Sequence, residues 1–225
     1  MFHATFPMKI FIFDLDNTID ANCMKHGPRE KVMQLLDKIE QTPDWHLCVV
    51  TARRYNECDY NWNIVLKHNI PRDIVDTILR INYEIPVKDW LFFPNHSDEP
   101  TQLVNEHLLQ DPRRPHIRQA YERFKRKNRD SLEPKQLDFG LLKMLQIDHI
   151  INARRDLTNE YLYPLTFFFD DALSNKIAWY FYSQHCNPDM KNLRFIGGTD
   201  KSVFGTIRQD EFDDAMASER PRRKY

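Results

Sequence analysis

Three short, almost wholly apolar runs limit the folds open to this chain of 225 residues. They span residues 8–13, 46–50 and 165–169. A strand that is apolar on both sides is buried on both faces, which is typical of parallel sheets covered by helices. Apolar residues at helical spacing lie between the runs, in 28–40 and 135–153. The pattern predicts an α/β fold in three layers, with a mainly parallel central sheet.

Weaker patterns extend this prediction along the chain. Residues 59–67 have the spacing of a helix, and 76–82 and 89–95 are strand candidates. Residues 192–196 form a last strand candidate, directly before two glycines. The segment 95–133 is mostly polar and helical in pattern, so we expect a helical insertion there.

Composition excludes several classes of protein. The chain is 41% hydrophobic and 29% charged, as in ordinary soluble domains, and its formal net charge of −1 commits it to neither nucleic acid nor membrane. No run approaches the ~18 to 20 apolar residues of a membrane span, and the N-terminus has no signal-peptide pattern. Its five glycines form no Gly-rich phosphate loop. We therefore expect a soluble protein without membrane association.

The cysteines form neither a zinc motif nor a disulfide framework. They are Cys23, Cys48, Cys58 and Cys186. No two are spaced as C-x-x-C, and the nearby His26 and His185 do not complete a set of four ligands. Reduced thiols favour an intracellular compartment, and we expect a cytoplasmic location.

Polar residues follow each of the three apolar runs. Asp14 and Asp16 come after the first, Thr51 after the second, and Asp170 and Asp171 after the third. One such pair alone is compatible with an Asx turn at a strand end. Because the carboxyl ends of parallel strands meet at one edge of the sheet, the convergence of four acids predicts a functional site.

The chemistry of this set suits phosphoryl transfer. Four carboxylates form the oxygen-rich kind of site that Mg²⁺ prefers. With the cation removing their repulsion, Asp14 can attack phosphorus to give an aspartyl-phosphate, and Asp16 can act as acid and then base. The Thr51 hydroxyl and the backbone N–H after it can hold phosphoryl oxygens.

A lysine should balance the charge, and two lysines compete for that role. Helices in this architecture begin at the carboxyl edge, so the lysine should lie near a helix start. Lys135 does, whereas Lys143 lies eight residues, or about 12 Å, further along the helix. We predict Lys135 and keep Lys143 as the alternative.

Four segments, in this order, resemble the motifs of the haloacid dehalogenase (HAD) superfamily of phosphatases and phosphotransferases. They are FIFDLDNTI with its D-x-D-x-T pattern, VVTAR, SLEPKQLDFGLL with its lysine, and FFFDDALSN. The resemblance extends from residue 8 to about residue 199. It implies a HAD-like, Rossmann-like three-layer fold with a helical insertion before the motif lysine and no large cap after the first motif.

The resemblance also implies a role for each matched residue. Asp14 becomes the nucleophile and Asp16 the general acid/base, and an acid at that second position favours a phosphatase over dehalogenases and ATP-driven pumps. The phosphate-binding residues would be Thr51, Ala52, Arg53 and Lys135. The magnesium ligands would be Asp14, the backbone carbonyl of Asp16, and Asp171 with or without Asp170. Asn175 takes the outer position of the fourth motif, and Ala172 replaces its usual serine.

We divide the chain into a catalytic core, residues 1–94 and 134–225, and a basic insertion, 95–133. Residues 111–130 hold eight Arg or Lys against three Asp or Glu. This run can be a basic arm or small lid that recruits a phosphate-rich substrate, although a solvated helical face is the simpler interpretation. Tyr121 and Phe124 can stack on bases or, more simply, pack on the core. Residues 216–225 are expected to be a flexible tail.

Two functions follow as hypotheses. The first is a Mg²⁺-dependent phosphomonoester hydrolase acting through an aspartyl-phosphate on a phosphorylated small molecule or the phosphorylated end of a nucleic acid. The alternative is a binding or scaffold protein of HAD fold, whose basic insertion recruits a nucleic acid or an acidic partner. The sequence leaves no readable trace of specific protein partners.

Overall fold

In the part of the chain that the structure describes, the central sheet contains five parallel strands. The computed structural model describes residues 8–54, 69–81, 90–93, 100–112, 114–128, 132–158 and 164–217. The strands are β1 (Lys9–Phe13), β2 (Trp45–Arg54), β3 (Trp90–Phe93), β4 (Leu165–Asp170) and β5 (Arg194–Gly197). Their order across the sheet is β3-β2-β1-β4-β5, and every neighbouring pair is parallel. The predicted α/β fold with a parallel sheet is therefore confirmed.

Helices cover both faces of this sheet. They are α1 (Ala21–Met24), α2 (Arg29–Gln41), α3 (Arg72–Ile81), α4 (Pro100–Val104), α5 (Pro115–Lys127), α6 (Pro134–Thr158), α7 (Leu173–His185), α8 (Val203–Thr206) and α9 (Gln209–Met216). A π-helical turn, Asn105–Leu109, continues α4, and a 3-10 helix, Pro188–Asn192, precedes β5.

The alternation of side chains along β1 divides the core into two layers. Phe11 and Phe13 pack into one layer with α2, α3, α8 and α9. Ile10 and Ile12 point the other way, into the layer formed by α4 to α7. Both layers are apolar, because a central parallel strand meets helices on each side. Because both faces of the sheet are covered, a polar functional site on the sheet is expected at the strand ends.

One predicted strand is wrong. Residues 76–82 were expected to be extended, but α3 covers Arg72–Ile81. Its buried residues include Ile74, Val75 and Ile78, whose spacing defines one face of a helix rather than the alternation of a strand. The strand expected at 89–95 is confirmed as β3. The predicted helix at 59–67 lies outside the described residues.

The segment between β3 and α6 packs on the α6 side of the sheet. Its buried residues include Leu103, Val104, Leu108, Leu109, Ile117 and Tyr121. Asp138 of α6, which has no exposed surface, accepts hydrogen bonds from the hydroxyls of Thr101 (2.6 Å) and Tyr121. Burial and the neighbouring Asp138 raise the pKa of Tyr121. Tyr121 is therefore part of the core, and the interpretation that it stacks on bases is wrong.

Two findings bear on the compartment and membrane predictions. Within the described ranges, no helix combines the length and hydrophobicity that a bilayer crossing requires. Cys23, Cys48 and Cys186 are buried thiols that form no disulfide among the described residues.

Candidate functional site

β1 and β4 end side by side, and each brings an aspartate to the carboxyl edge. Phe13 pairs with Phe169, and the Asp14 N–H donates to the Phe169 carbonyl at 2.9 Å. This continuation of the ladder holds Asp14 next to Asp170, the last residue of β4. Carboxylate oxygens of Asp14, Asp170 and Asp171 lie within 4.8 Å of one another. We call these three residues the acidic cluster.

Lys143 lies at the centre of the acidic cluster. Its Nζ is 2.8 Å from Asp14 Oδ1 and 2.8 Å from Asp170 Oδ2, and the residue is only 2% exposed. Burial disfavours the charged ammonium, yet the two carboxylates more than offset this effect and raise the pKa of Lys143. The lysine therefore stays charged in the core.

The prediction that Lys135 occupies this position is wrong. Lys135 is exposed in the first turn of α6, and Lys143 lies about two turns further along that helix. The prediction assumes that α6 begins at the carboxyl edge of the sheet, and it does not. Its first turns extend past the edge, where Leu137 and Asp138 are buried against the segment that contains α4 and α5.

Asp170 is held by three donors. Besides Lys143, it accepts hydrogen bonds from the Ala172 N–H at 2.9 Å and from Asn175 Nδ2, which lies 2.9 and 2.8 Å from its two oxygens. Asn175 stands in the first turns of α7, so β4 and α7 fix this carboxylate together. Asp170 is therefore well placed to position Lys143, and its lone pairs are largely occupied.

Asp14 differs, because its buried Oδ1 accepts no hydrogen bond. Lys143 Nζ contacts this oxygen at 2.8 Å as an ion pair. Burial raises the pKa of Asp14, Lys143 opposes that shift, and the nearby carboxylate of Asp170 adds to it. Burial, with Asp170, also raises the pKa of Asp171 to about 6.

The net charge of the site would be balanced by one divalent cation. Three ionised carboxylates and one ammonium carry a net charge of −2 in a largely buried space. Because uncompensated charge in such a space is costly, the raised pKa values of Asp14 and Asp171 are the expected response without a cation. Oxygen ligands and an oxygen without a hydrogen-bond donor fit Mg²⁺.

Asp16 lies apart from the acidic cluster and is held by Arg53. The Arg53 guanidinium forms a two-pronged contact with Asp16, Nε to Oδ2 at 3.2 Å and Nη2 to Oδ1 at 2.7 Å. Both side chains are close to half exposed. Among the described residues, the carboxylates near enough to share a metal ion do not include that of Asp16.

Thr51 and Ala52 lie on β2, the strand next to β1. Phe13 pairs with Val49, so Thr51 lies just beyond the end of β1. Its side chain is buried, and its hydroxyl oxygen accepts a hydrogen bond from the Arg53 N–H at 3.2 Å. Ala52 is exposed. Thr51 and the N–H groups after it therefore stand at the same sheet edge as Asp14.

Two further residues shape the site and were missed from the sequence. Asn17 has a left-handed backbone (φ 54), which turns the chain after Asp16, and its side chain lowers the pKa of the Asp171 carboxyl. Gly197 has φ 102, and a Cβ there would collide with the Asp170 carbonyl oxygen. An Asn in the turn and the glycine pair after the last strand were the available signals.

No family model, curated protein or solved structure matches this chain. The functional argument therefore depends on the fold and on the geometry of the site. Together they define an α/β protein with a buried carboxylate–lysine site at the carboxyl edge of a parallel sheet. Such a site can bind a hard cation and hold one carboxylate ready to react.

Proposed function

We propose that this protein is a Mg²⁺-dependent phosphomonoester hydrolase of the HAD type that works through an aspartyl-phosphate on Asp14. The observation that carries the proposal is the environment of the Asp14 carboxylate. It is buried at the end of β1, has an oxygen without a hydrogen-bond donor, and lies against Lys143 and two further carboxylates. A structural aspartate would have both of its oxygens satisfied.

Asp14 and Asp171, with the backbone carbonyl of Asp16, are the residues that would hold the metal ion. Asp170 is the weaker candidate, because Lys143, Asn175 and the Ala172 N–H already occupy its oxygens. When bound, Mg²⁺ supplies charge neutralisation and polarises a phosphoryl oxygen.

The protein's own groups then divide the reaction into two displacements. A carboxylate oxygen of Asp14 forms a bond to phosphorus while the bond from phosphorus to the leaving oxygen breaks. Asp16 gives a proton to that oxygen, so its side chain must turn away from Arg53. In the second step a water oxygen bonds to phosphorus while the bond from phosphorus to the Asp14 oxygen breaks, Asp16 accepts the proton, and inorganic phosphate leaves. The Lys143 ammonium and the Thr51 hydroxyl stabilise the charge of the phosphoryl oxygens.

The test is hydrolysis of an aryl phosphate by the full chain, measured with Mg²⁺ and with a chelator. We expect turnover that requires Mg²⁺ and disappears in Asp14→Asn. Asp210→Asn, which changes an exposed aspartate of α9, serves as the control and should behave as wild type. Turnover in chelator, or turnover that survives in Asp14→Asn, would contradict the proposal.

A further inference from the structure

An aromatic groove lies between α5 and α7. Its cavity measures about 540 Å³, within the range of small-ligand sites. The residues that line it are Phe124, Lys127, Asn128, Leu173, Lys176, Ile177, Trp179, Tyr180, Phe181 and His185. None of these residues belongs to the acidic cluster, and the proposed hydrolysis leaves the groove without a role.

One face of α7 forms a wall of the groove. Leu173, Lys176, Ile177 and Tyr180 recur at the spacing that places residues on the same side of a helix. Tyr180 is 59% exposed and Leu173 is 41% exposed, and they are the large hydrophobic residues exposed in the described part of the chain. An exposed tyrosine and leucine on one face of a helix that is otherwise well packed favour contact with a ligand.

Packed rings also line the groove. The Phe124 and Phe181 rings are 5.1 Å apart between centroids, and the Phe181 and His185 rings are 4.9 Å apart. Phe124 comes from α5, while the other two come from α7. This contact fixes the two helices relative to each other, so the groove is formed before any ligand arrives.

The charge of the groove selects an anionic ligand. Lys127 and Lys176 line it, and none of its described lining residues is acidic. Lys127 is exposed, whereas the Lys176 ammonium donates a hydrogen bond to the Gly197 carbonyl at 3.1 Å. Arg123 and Arg126, both exposed, extend the positive charge along α5. A ligand that suits both the rings and the lysines is flat, aromatic and negatively charged, as a nucleotide is.

Helix α7 links the groove to the acidic cluster in sequence. Leu173, at its near end, begins α7 two residues after Asp171. Tyr180 lies seven residues, or about 10 Å, further along the same helix. A ligand that follows α7 from Tyr180 towards its first turn therefore approaches the carboxyl edge of the sheet.

We propose that this groove binds the bases of a single-stranded nucleic acid whose terminal phosphate is the group presented to Asp14. Tyr180 supplies a stacking face, and the exposed Lys127 pairs with a backbone phosphate. The identity of the strand as substrate rests on the proposed hydrolase function. Binding of the strand can be tested separately from turnover.

The binding test uses a fluorescein-labelled single-stranded DNA dodecamer and the full-length protein in chelator, with anisotropy as the readout. We expect Tyr180→Ala to weaken binding roughly 5-fold to 150-fold, the loss of one stacked base, and Tyr180→Phe to keep binding near wild type. An abasic dodecamer, which has the same phosphates, should bind wild type as weakly as the normal strand binds Tyr180→Ala.

Two lysine variants separate charge from stacking. Lys127→Ala should weaken binding and lower the dependence of log affinity on log salt by about 0.7, the value for one phosphate of a single strand. Lys38→Ala, on α2 at the opposite face of the sheet, is the matched control and should change neither quantity. Equal binding by wild type and Tyr180→Ala, or equal binding of normal and abasic strands, would overturn the proposal.

Turnover supplies a second readout. On a 5′-phosphorylated or 3′-phosphorylated dodecamer, Tyr180→Ala should raise KM and leave kcat little changed. If wild type does not hydrolyse even an aryl phosphate, the hydrolase function fails while the binding result stands. A concentration-dependent dimer that Tyr180→Ala disrupts, with no strand binding, would instead identify the groove as a contact between copies of this chain and overturn the proposal.

Discussion

Asp14 and Asp138 are both buried aspartates near a lysine, yet their surroundings differ in two respects. Asp138 accepts hydrogen bonds at both oxygens from the hydroxyls of Thr101 and Tyr121, and Lys125 lies 3.7 Å away. Asp14 has Lys143 at 2.8 Å, but its Oδ1 accepts no hydrogen bond. Asp14 also has two carboxylate neighbours within 4.8 Å.

This difference indicates what each aspartate is for. Asp138 joins α4, α5 and α6 through satisfied hydrogen bonds, which is the arrangement of a structural group. Asp14 carries an unsatisfied oxygen and uncompensated negative charge, which cost folding free energy unless a cation or a substrate resolves them. Burial of an aspartate alone therefore does not mark a site, whereas its remaining capacity for ligands does.

The sharpest contrast between the two aspartates should come from replacing each with asparagine. Asp14→Asn should lower turnover of an aryl phosphate by roughly 10³-fold or more, because the nucleophile is lost. Asp138→Asn should lower the free energy of unfolding by about 1–3 kcal/mol in urea and leave turnover of the folded protein near wild type. A folded Asp138→Asn protein as inactive as Asp14→Asn would remove the distinction.

The lysine of the acidic cluster gives the next largest effect. Lys143→Met leaves Asp14 and Asp170 facing each other without a counter-charge, and should lower the free energy of unfolding by about 3–5 kcal/mol in chelator. Lys135→Met, on the exposed first turn of the same helix, is the matched control and should unfold like wild type. Urea unfolding of both variants checks this, and a larger loss in Lys135→Met would reverse the assignment.

Mg²⁺ should stabilise the acidic cluster and leave the Asp138 contacts unaffected. At a concentration of 100 times its Kd, the ion should add about 2.7 kcal/mol, or roughly 5–10 °C in Tm for a chain of this size. Asp171→Asn should lose most of this rise in Tm. Asp138→Asn should have a lower Tm without Mg²⁺ but show the same rise when Mg²⁺ is added. Thermal unfolding with and without Mg²⁺ measures both, and a full shift in Asp171→Asn would mean that the ion binds elsewhere.

Arg53 should have the smallest effect of the four. Arg53→Gln removes a guanidinium that can hold the phosphoryl group once Asp16 has turned away from it. We expect kcat to fall about tenfold, or 1.4 kcal/mol of activation free energy. Arg29, which makes the same two-pronged contact with Asp73 on the surface, provides the control. Arg29→Gln should leave kcat unchanged. Steady-state kinetics measures both variants, and an equal fall in kcat in both would contradict a role for Arg53 in turnover.

The strands and their acids were predictable because they depend on local pattern. Residues 8–13 and 165–169 are apolar on both sides, and that pattern is sufficient to place Asp14 and Asp170 at one edge of a parallel sheet. The error at α3 has a local cause as well. Residues 76–82 alone resemble a strand, whereas a segment that includes Ile74 and Val75 shows the helical period.

The choice between Lys135 and Lys143 depended on tertiary structure. Both lie on α6, and only the packing of its first turns against the α4–α5 segment sets which turn reaches the sheet edge. The groove could not be predicted from the sequence either, because it forms only where α5 and α7 pack together. Tyr180 lines a cavity only because the packing of Phe124 on Phe181 brings α5 against α7.

The most direct test of the central claim is to identify the residue that becomes phosphorylated. The full chain is mixed with an aryl phosphate and Mg²⁺, quenched in acid during turnover and reduced with borohydride, which converts an aspartyl-phosphate to homoserine. Mass spectrometry of the peptides should then find homoserine at position 14 and unchanged aspartate at position 138. Turnover without homoserine at position 14, or with homoserine at another aspartate, would contradict the account.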